Sequence, residues 1–547
     1  MSANTRLFSG PPVAHIEALV EVYPAAMLTL YQVITKGFPG IVTVFSRPVY
    51  TSFVVMVTGL CVLAKKPTSR AIAGTLGVVS HDALTRLLRH SCWSASLLLG
   101  ALINQALLLS TGAILPSFLI LDDVLVPKPF ARWIAGAYWD WDHAQHRRTF
   151  GHRIVVVVWT NGVIVIPVAF ALWHKRHSAY FLGDQASFTE TEYQQFLSQF
   201  PPMRPLLNSL LLREADHVVV PLVALMPWQK RLIPKKAWAV LAHHAATTGR
   251  RYRTKNELAR CLIYHLVRKG LRCDYITFDC WYASKENLNM LTRLGLVYVT
   301  VVACSRKLRS ARRLRSGAEV IPSARRVDDV AKTFATRDYV PYRQARLRAL
   351  RLAVTLTGLT DPAHLVIITR QDWHGFLKRT LPDDHPIHKQ AYPAPNVYLL
   401  TNATDSSTYQ VICRYRSRWA IEVMFRNLKQ HLGLGACQHR SLEAVTRHIA
   451  LVLFAFVCLQ LVRRNFVDSQ PEQTANMTIG DVKKRLQSHV VVSGATVETY
   501  GILTGEILPM PRDIFEQLTD QAGSAVISDS PPLILESPAI KELYSDA

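Results

Sequence analysis

The chain has 547 residues, enough for about three or four domains, and carries 63 Lys and Arg against 39 Asp and Glu, a formal charge of +24. So basic a balance favours a polyanionic partner, nucleic acid or an anionic membrane surface. The nine cysteines form no CxxC pair and read as reduced thiols of a cytosolic protein, which argues against a disulfide scaffold and a zinc ribbon.

Residues 1 to about 45 are weakly patterned, with Pro11-Pro12 and Pro39 as breaks, and the start MSANTRLFSGPP lacks a signal-peptide pattern. Residues 46 to 112 read as helical. Within them, Thr68 to Arg89 has the spacing of a helix-turn-helix, with Ser80 and His81 opening the second helix and Arg70, Arg86 and Arg89 in reach of phosphates. The same spacing also occurs in plain helix pairs. Ser94 to Leu121 is the longest apolar stretch, but Asn104, Gln105 and Pro116 interrupt it, so it reads as a buried helix followed by a strand rather than a membrane span.

The strand Ser117–Leu121 ends in Asp122-Asp123. A polar stretch, Pro127 to Arg153, mixes Lys128, Arg132, Arg147, Arg148 and Arg153 with Trp133, Trp139 and Trp141. Cations beside aromatics suit nucleic acid, by phosphate pairing and by stacking. His143, His146 and His152 match no strong zinc spacing. Two Val/Ile-rich runs, Ile154–Thr160 and Val163–Trp173, flank Asn161-Gly162 and predict a hairpin covered on both faces.

Thr254–Lys269 predicts an amphipathic helix burying Leu258, Cys261, Leu262, His265 and Leu266. A strand, Cys273–Phe278, ends at Asp279, and a helix (Ser284–Leu294) and a strand (Val297–Ala303) follow. Residues 304–410 interrupt this order. Their first half, to Arg351, holds 14 Lys/Arg against 4 Asp/Glu, and their second half carries strand-like runs. Trp373, in that second half, suits a stacking contact or a plain core or surface position.

Tyr415 to Leu432 predicts one helix. Tyr415, Arg418, Glu422 and Lys429 fall on one stripe with Arg426 beside it, and Ile421, Met424, Phe425, Leu428 and Leu432 form the opposite, core-facing stripe. One carboxylate among cations suits a metal that works on a phosphate, or a solvated face with ordinary salt bridges. The apolar run Arg447–Arg464 reads as a buried packing helix. From Gly501 the charge turns acidic, 8 Asp/Glu against 2 Lys/Arg, as in a partly disordered tail.

The Tyr-x2-Arg-x3-Glu-x6-Lys pattern at Tyr415, Arg418, Glu422 and Lys429, with aspartates at two strand ends, resembles the DDE transposases of bacterial insertion sequences. The resemblance covers roughly Ser117 to Leu434. It implies an α/β fold: an RNase H-like mixed sheet with a β-rich insertion, preceded by an all-α N-terminal DNA-binding domain. The corresponding boundaries are 1–112 for the helical domain, 113–303 with 411–465 for the catalytic domain, 304–410 for the insertion and 466–547 for the C-terminal region. Asp123, Asp279 and Glu422 are then the catalytic carboxylates and the ligands of two divalent ions, Mg²⁺ with Mn²⁺ as a substitute. Asp122 competes with Asp123, because Val124 replaces the Thr usual after the family's first aspartate. The DNA contacts expected are Tyr415, Arg418, Arg426, Lys429, Lys128, Arg147 and Arg148. The expected partner is double-stranded DNA, bound by a homodimer without a membrane, in the cytoplasm at the nucleoid.

Overall fold

A computed structural model describes residues 25–488, apart from short interruptions of which the longest are 176–184, 246–251, 390–395 and 470–476. The predicted acidic tail lies outside the described residues, as do Arg132, Trp133 and His143.

Among the described residues five α-helices come first: α1 (Ala25–Gly37), α2 (Arg47–Val62), α3 (Ser69–Leu76), α4 (His81–Arg89) and α5 (Ala95–Ser110). The caps explain the α3–α4 pair. Thr68 and Ser80 each accept a backbone N–H three residues on, from Ala71 and Ala83. Gly77 takes the left-handed conformation, φ 66°, that ends α3 and lets the chain turn. A helix, a glycine turn and a second helix therefore form where the sequence placed them.

The main sheet begins with β1 (Phe118–Pro127), β2 (Tyr138–Asp142), β3 (Arg147–Thr160) and β4 (Val165–Trp173). The β3–β4 turn follows the Asn-Gly chemistry: Asn161 Oδ1 accepts the amides of Val163 and Ile164, and Gly162 sits at φ 85°. After β4 comes a unit that the sequence did not suggest. It comprises β5 (Gln185–Thr189), α6 (Glu190–Gln199), β6 (Leu212–Glu214), β7 (His217–Pro221) and α7 (Lys235–His244). Its three strands form a separate sheet, over a core of its own that includes Phe188, Phe196, Val218 and Leu241.

The chain then returns to the main sheet through α8 (Lys255–Arg268), β8 (Tyr275–Phe278), α9 (Lys285–Arg293) and β9 (Tyr298–Val301). Thr254 and Glu257 cap α8 reciprocally. The buried stripe of α8 is Ala259, Ile263 and Leu266; Cys261 and His265 of the expected face are exposed. Next come β10 (Lys307–Arg313), β11 (Arg325–Arg326), β12 (Val340–Tyr342), β13 (Leu347–Leu356), β14 (Ala363–Ile368), α10 (Arg370–Thr380) and β15 (Val397–Thr401). These strands continue the main sheet instead of forming one apart, because β15 pairs with β9. Twelve strands result, in the order β11-β10-β13-β14-β15-β9-β8-β1-β3-β2, with β4 also on β3 and β12 on β13. The β1–β8 and β8–β9 pairs are parallel and the others antiparallel. This is a mixed α/β fold with a large mixed sheet, consistent with an RNase H-like domain.

The expected helix from Tyr415 to Leu432 is two helices, α11 (Thr408–Arg416) and α12 (Trp419–Gln430). At the break Ser417 Oγ donates to the Arg414 carbonyl at 2.6 Å and pairs with the Tyr275 hydroxyl of β8 at 3.1 Å. Last come α13 (Leu442–Ser469) and α14 (Ile479–Ser488). Among the described residues, α13 alone is long and apolar enough to cross a membrane, and 89 % of its most apolar window is buried inside the protein. It packs against α1, α2, α4, α5, α12 and β4, so its apolar girth is core.

Candidate active site

The register of β1 against β8 builds the site. Leu121 pairs with Phe278 in parallel, so the next residues, Asp122 and Asp279, stand side by side where β8 ends. Helix α12 packs on β1 and brings in Glu422 from its first turn. Arg418, at the helix junction, joins two of these groups. Its Nη1 donates to Asp122 Oδ2 at 2.7 Å, and its Nη2 donates to Glu422 Oε1.

Three carboxyls are raised together, the mark of like charges crowded in a dry place. Burial, opposed by Arg418 and reinforced by Asp279, Asp123 and Glu422, pushes Asp122 up to about 7. Burial likewise raises Asp279 and Glu422 against the pull of Arg418, with Asp123 adding to the rise of Asp279 and Asp279 to that of Glu422. Burial pushes the Tyr415 phenol up to about 12, so it stays protonated and can donate.

Asp123, the expected ligand, has a different environment. Burial would raise it, but Lys255 and Arg153 overcome that and hold it below the ordinary range. Lys255 Nζ donates to Asp123 Oδ1 at 3.0 Å, the Tyr282 hydroxyl donates to the same oxygen at 2.8 Å, and Arg153 Nη1 donates to Oδ2 at 2.8 Å. Arg153 also donates to Asp140 at 2.6 Å, tying β2 to this network. Asp123 is thus neutralised by its own neighbours, whereas the one ion pair of Asp122 among the described residues, with Arg418, is shared with Glu422. A strand end read from sequence does not supply these partners. Lys255 and Tyr282 escaped the sequence reading; their one local signal is adjacency, to the Thr254 cap and to Asp279.

The expected DNA contacts divide. Arg147 and Arg148 are exposed on β3, and Lys429 is exposed in the last turn of α12. Arg426 is half-buried and close enough to Glu422 to act on its charge. Lys128 requires correction. It is 2 % exposed, and its ammonium donates to the carbonyls of Gly435 and Cys437 at 2.9 and 2.7 Å. It points into the protein, away from any phosphate, and holds the turn between α12 and α13. Lys483 of α14, also buried, donates to the His431 carbonyl just before that turn and to the Leu60 carbonyl of α2. Trp373 is core, packed on Phe376 and Tyr415.

The α3–α4 pair is fastened to the same region. Buried Arg447 of α13 donates to the carbonyls of Leu88 and Trp93 and lies over the Trp93 ring at 5.3 Å. His81, Arg86 and Arg89 of α4 are exposed, and Arg89 and His81 lie close enough to His439 to act on its charge.

Asp122, Asp123, Asp279 and Glu422 offer only oxygen donors, which suits a hard divalent cation. The crowding of three raised carboxyls is what such a cation relieves, so the donor set fits one. Among the described residues no three Asp, Glu, His or Cys are drawn together as a ready metal cage. Arg418 instead bridges Asp122 and Glu422.

A family model described as a transposase DDE domain matches residues 244–458, which contain Asp279 and Glu422. A second, described as a DDE superfamily endonuclease, matches residues 43–180, which contain Asp122 and Asp123. Neither match reaches residues 181–243, where most of the three-stranded unit lies. No curated protein matches significantly. Together the two family matches support a DDE transposase with nuclease-type chemistry.

Proposed function

We propose that this protein is a cut-and-paste transposase that cleaves double-stranded DNA at the ends of a mobile element and joins the freed ends to target DNA. The observation that carries the reading is the trio Asp122, Asp279 and Glu422, brought together from β1, β8 and α12 with their carboxyls raised together.

In this reading Asp122, Asp279 and Glu422 would hold two divalent ions, Mg²⁺ or Mn²⁺. Asp122 takes the place first expected of Asp123, because Asp123 is already saturated by Lys255, Arg153 and Tyr282. Bound ions supply Lewis-acid activation of a water or a DNA 3′-hydroxyl and neutralise charge on the leaving oxygen. Arg418 releases Asp122 and Glu422 and turns its planar fork to a phosphate, a geometry that guanidinium groups favour. Tyr415, protonated at neutral pH, donates to a phosphate oxygen. Lys429 and Arg426 continue the phosphate track along α12. Arg147 and Arg148 extend it on the β2–β3 hairpin beside exposed Trp139 and Trp141. Helix α4 reads the element's end through His81, Arg86 and Arg89. Two ends must be synapsed, so the working form is a homodimer on DNA, acting at the bacterial nucleoid in the cytoplasm.

The test uses purified protein and duplex DNA flanking the gene, with Mg²⁺ or EDTA. Metal-dependent cutting and joining, both lost in Glu422→Gln with DNA binding retained, is expected. Cutting without joining means a nuclease of the same site, and binding with neither means a DNA-binding protein without chemistry.

A further inference from the structure

A second recess lies behind the carboxylates, at the other end of the sheet. Phe118, which opens β1, lines a cavity of about 450 Å³. Extended strand from Phe118 to Asp122 puts roughly 13 Å between this cavity and the carboxylates. The walls come from the starts of β1 and β8, the β3–β4 turn, the end of α10, and α11 with the first residues of α12. The volume is in the range of sites that hold small molecules.

The walls are mainly apolar, with Pro116, Phe118, Leu381 and Ala420 among them, and two half-buried cations stand in them, Arg414 and Arg416. Phe118 and Tyr275 stack, their centroids 4.7 Å apart and their planes 8° apart. Arg414 lies over the Tyr275 ring at 5.3 Å and donates to Ser406 Oγ at 2.7 Å. Its guanidinium is thereby braced, with donors left over. Among the described residues neither arginine is in an ion pair. The carboxylate in the lining, Asp274, is held by the Ser117 amide at 2.6 Å. Apolar walls with two unpaired guanidiniums complement a ligand that is flat and apolar at one end and anionic at the other. A wholly apolar ligand would strip water from the cations and return nothing.

We propose that this cleft binds a compact aromatic anion, an aryl carboxylate or sulfonate in character, with its ring on the apolar wall and its anionic group on Arg414 and Arg416. Occupancy acts on the break between α11 and α12. Ser417 lines the cleft and pairs with the Arg414 carbonyl and the Tyr275 hydroxyl, and the next residue, Arg418, bridges Asp122 and Glu422. A ligand that stiffens this junction opposes the release of Arg418 and so slows cutting. The binding is independent of the transposase reading; the effect on cutting rests on it.

The experiment uses the full chain and the dye anilinonaphthalenesulfonate, an aryl sulfonate that fluoresces when it leaves water. Wild type is expected to show one saturable site, with hydrogen exchange slowed over residues 414–420. Arg416→Gln removes a charge-assisted contact and should weaken binding roughly ten- to a hundredfold. Thr380→Trp, at an exposed position on the rim, fills the mouth and should abolish binding while the variant cuts DNA as wild type does without dye. The dye should slow end cutting by wild type and leave Thr380→Trp unaffected. Unchanged affinity in both variants, protection confined to other segments, or equal binding of the uncharged phenylnaphthylamine overturns the site. Displacement of the dye by duplex DNA in Ca²⁺ also overturns it, by making the cleft part of the DNA track. Full cutting with the dye bound overturns the link to Arg418. A wild type that cuts nothing, with or without dye, refutes the transposase reading alone, since the titration reads binding directly.

Discussion

Lys128→Met separates the structural role of Lys128 from the phosphate role that its basic, aromatic-rich neighbourhood suggests. The side chain is 2 % exposed and donates two charge-assisted hydrogen bonds, 2.9 and 2.7 Å, to Gly435 and Cys437 in the turn between α12 and α13. Each such bond is worth about 1.5–3 kcal/mol. Part of that is offset by the cost of burying the ammonium, a cost visible in its lowered pKa. Methionine keeps the packing but leaves two carbonyls without their donor, so the net loss is about 2–4 kcal/mol. Urea unfolding should show this as a lower midpoint at unchanged slope. DNA affinity measured against salt supplies the second readout. A lost phosphate contact reduces the slope of log K against log salt by about 0.9. Lys128→Met should leave that slope alone, and Arg148→Ala should reduce it. A Lys128→Met protein as stable as wild type, with the slope reduced by one phosphate, refutes the reasoning.

Three further outcomes follow from the geometry. Asp122 sits at about 7 against its ordinary 3.8, so the folded chain keeps a proton that the unfolded chain has lost between those values. In EDTA, stability should therefore fall as pH rises from about 4 to 7, by up to about 4 kcal/mol. Unfolding at pH 5 and pH 8 checks this, and Asp122→Asn should flatten the difference. For the same reason Mn²⁺ affinity, followed by its spin resonance, should rise from pH 6 to pH 8 as the proton leaves; a flat profile contradicts the shared burial of the carboxyls. Arg447→Met removes the donors to Leu88 and Trp93 and should lower stability by about 2–4 kcal/mol. Lysine there, without the planar fork, should recover little of it in the same melt.

The parts legible in the sequence were those whose causes are local. The β3–β4 hairpin followed from Asn161-Gly162 between Val/Ile runs, and α3–α4 from Thr68, Ser80 and a glycine at the turn. The places of Asp279, at the end of β8, and Glu422, on a helix packed on β1, were legible because a strand-like run and a helical stripe mark them. What escaped depends on partners distant in the chain. At Ser417 the helix breaks beside Arg414 and a tyrosine on β8. Arg418 joins Asp122 to Glu422 while Lys255, Arg153 and Tyr282 take Asp123, and neighbours in one strand carry no sign of which partners they meet. Lys128 read as a phosphate ligand because its acceptors, Gly435 and Cys437, lie about three hundred residues away. The unit spanning β5 to α7 was missed because its strands are short, and its core forms only when the unit is assembled.

The most direct test of the central claim is end cleavage by one set of proteins on one DNA: wild type, Asp122→Asn, Asp123→Asn, Asp279→Asn and Glu422→Gln, each with Mg²⁺ and with EDTA. Wild type should cut only with Mg²⁺. Asp122→Asn, Asp279→Asn and Glu422→Gln should lose cutting by about a thousandfold or more while still binding DNA, and Asp123→Asn should keep a reduced but measurable rate. Cutting in EDTA, or full activity in Asp122→Asn beside an inactive Asp123→Asn, contradicts the site described here.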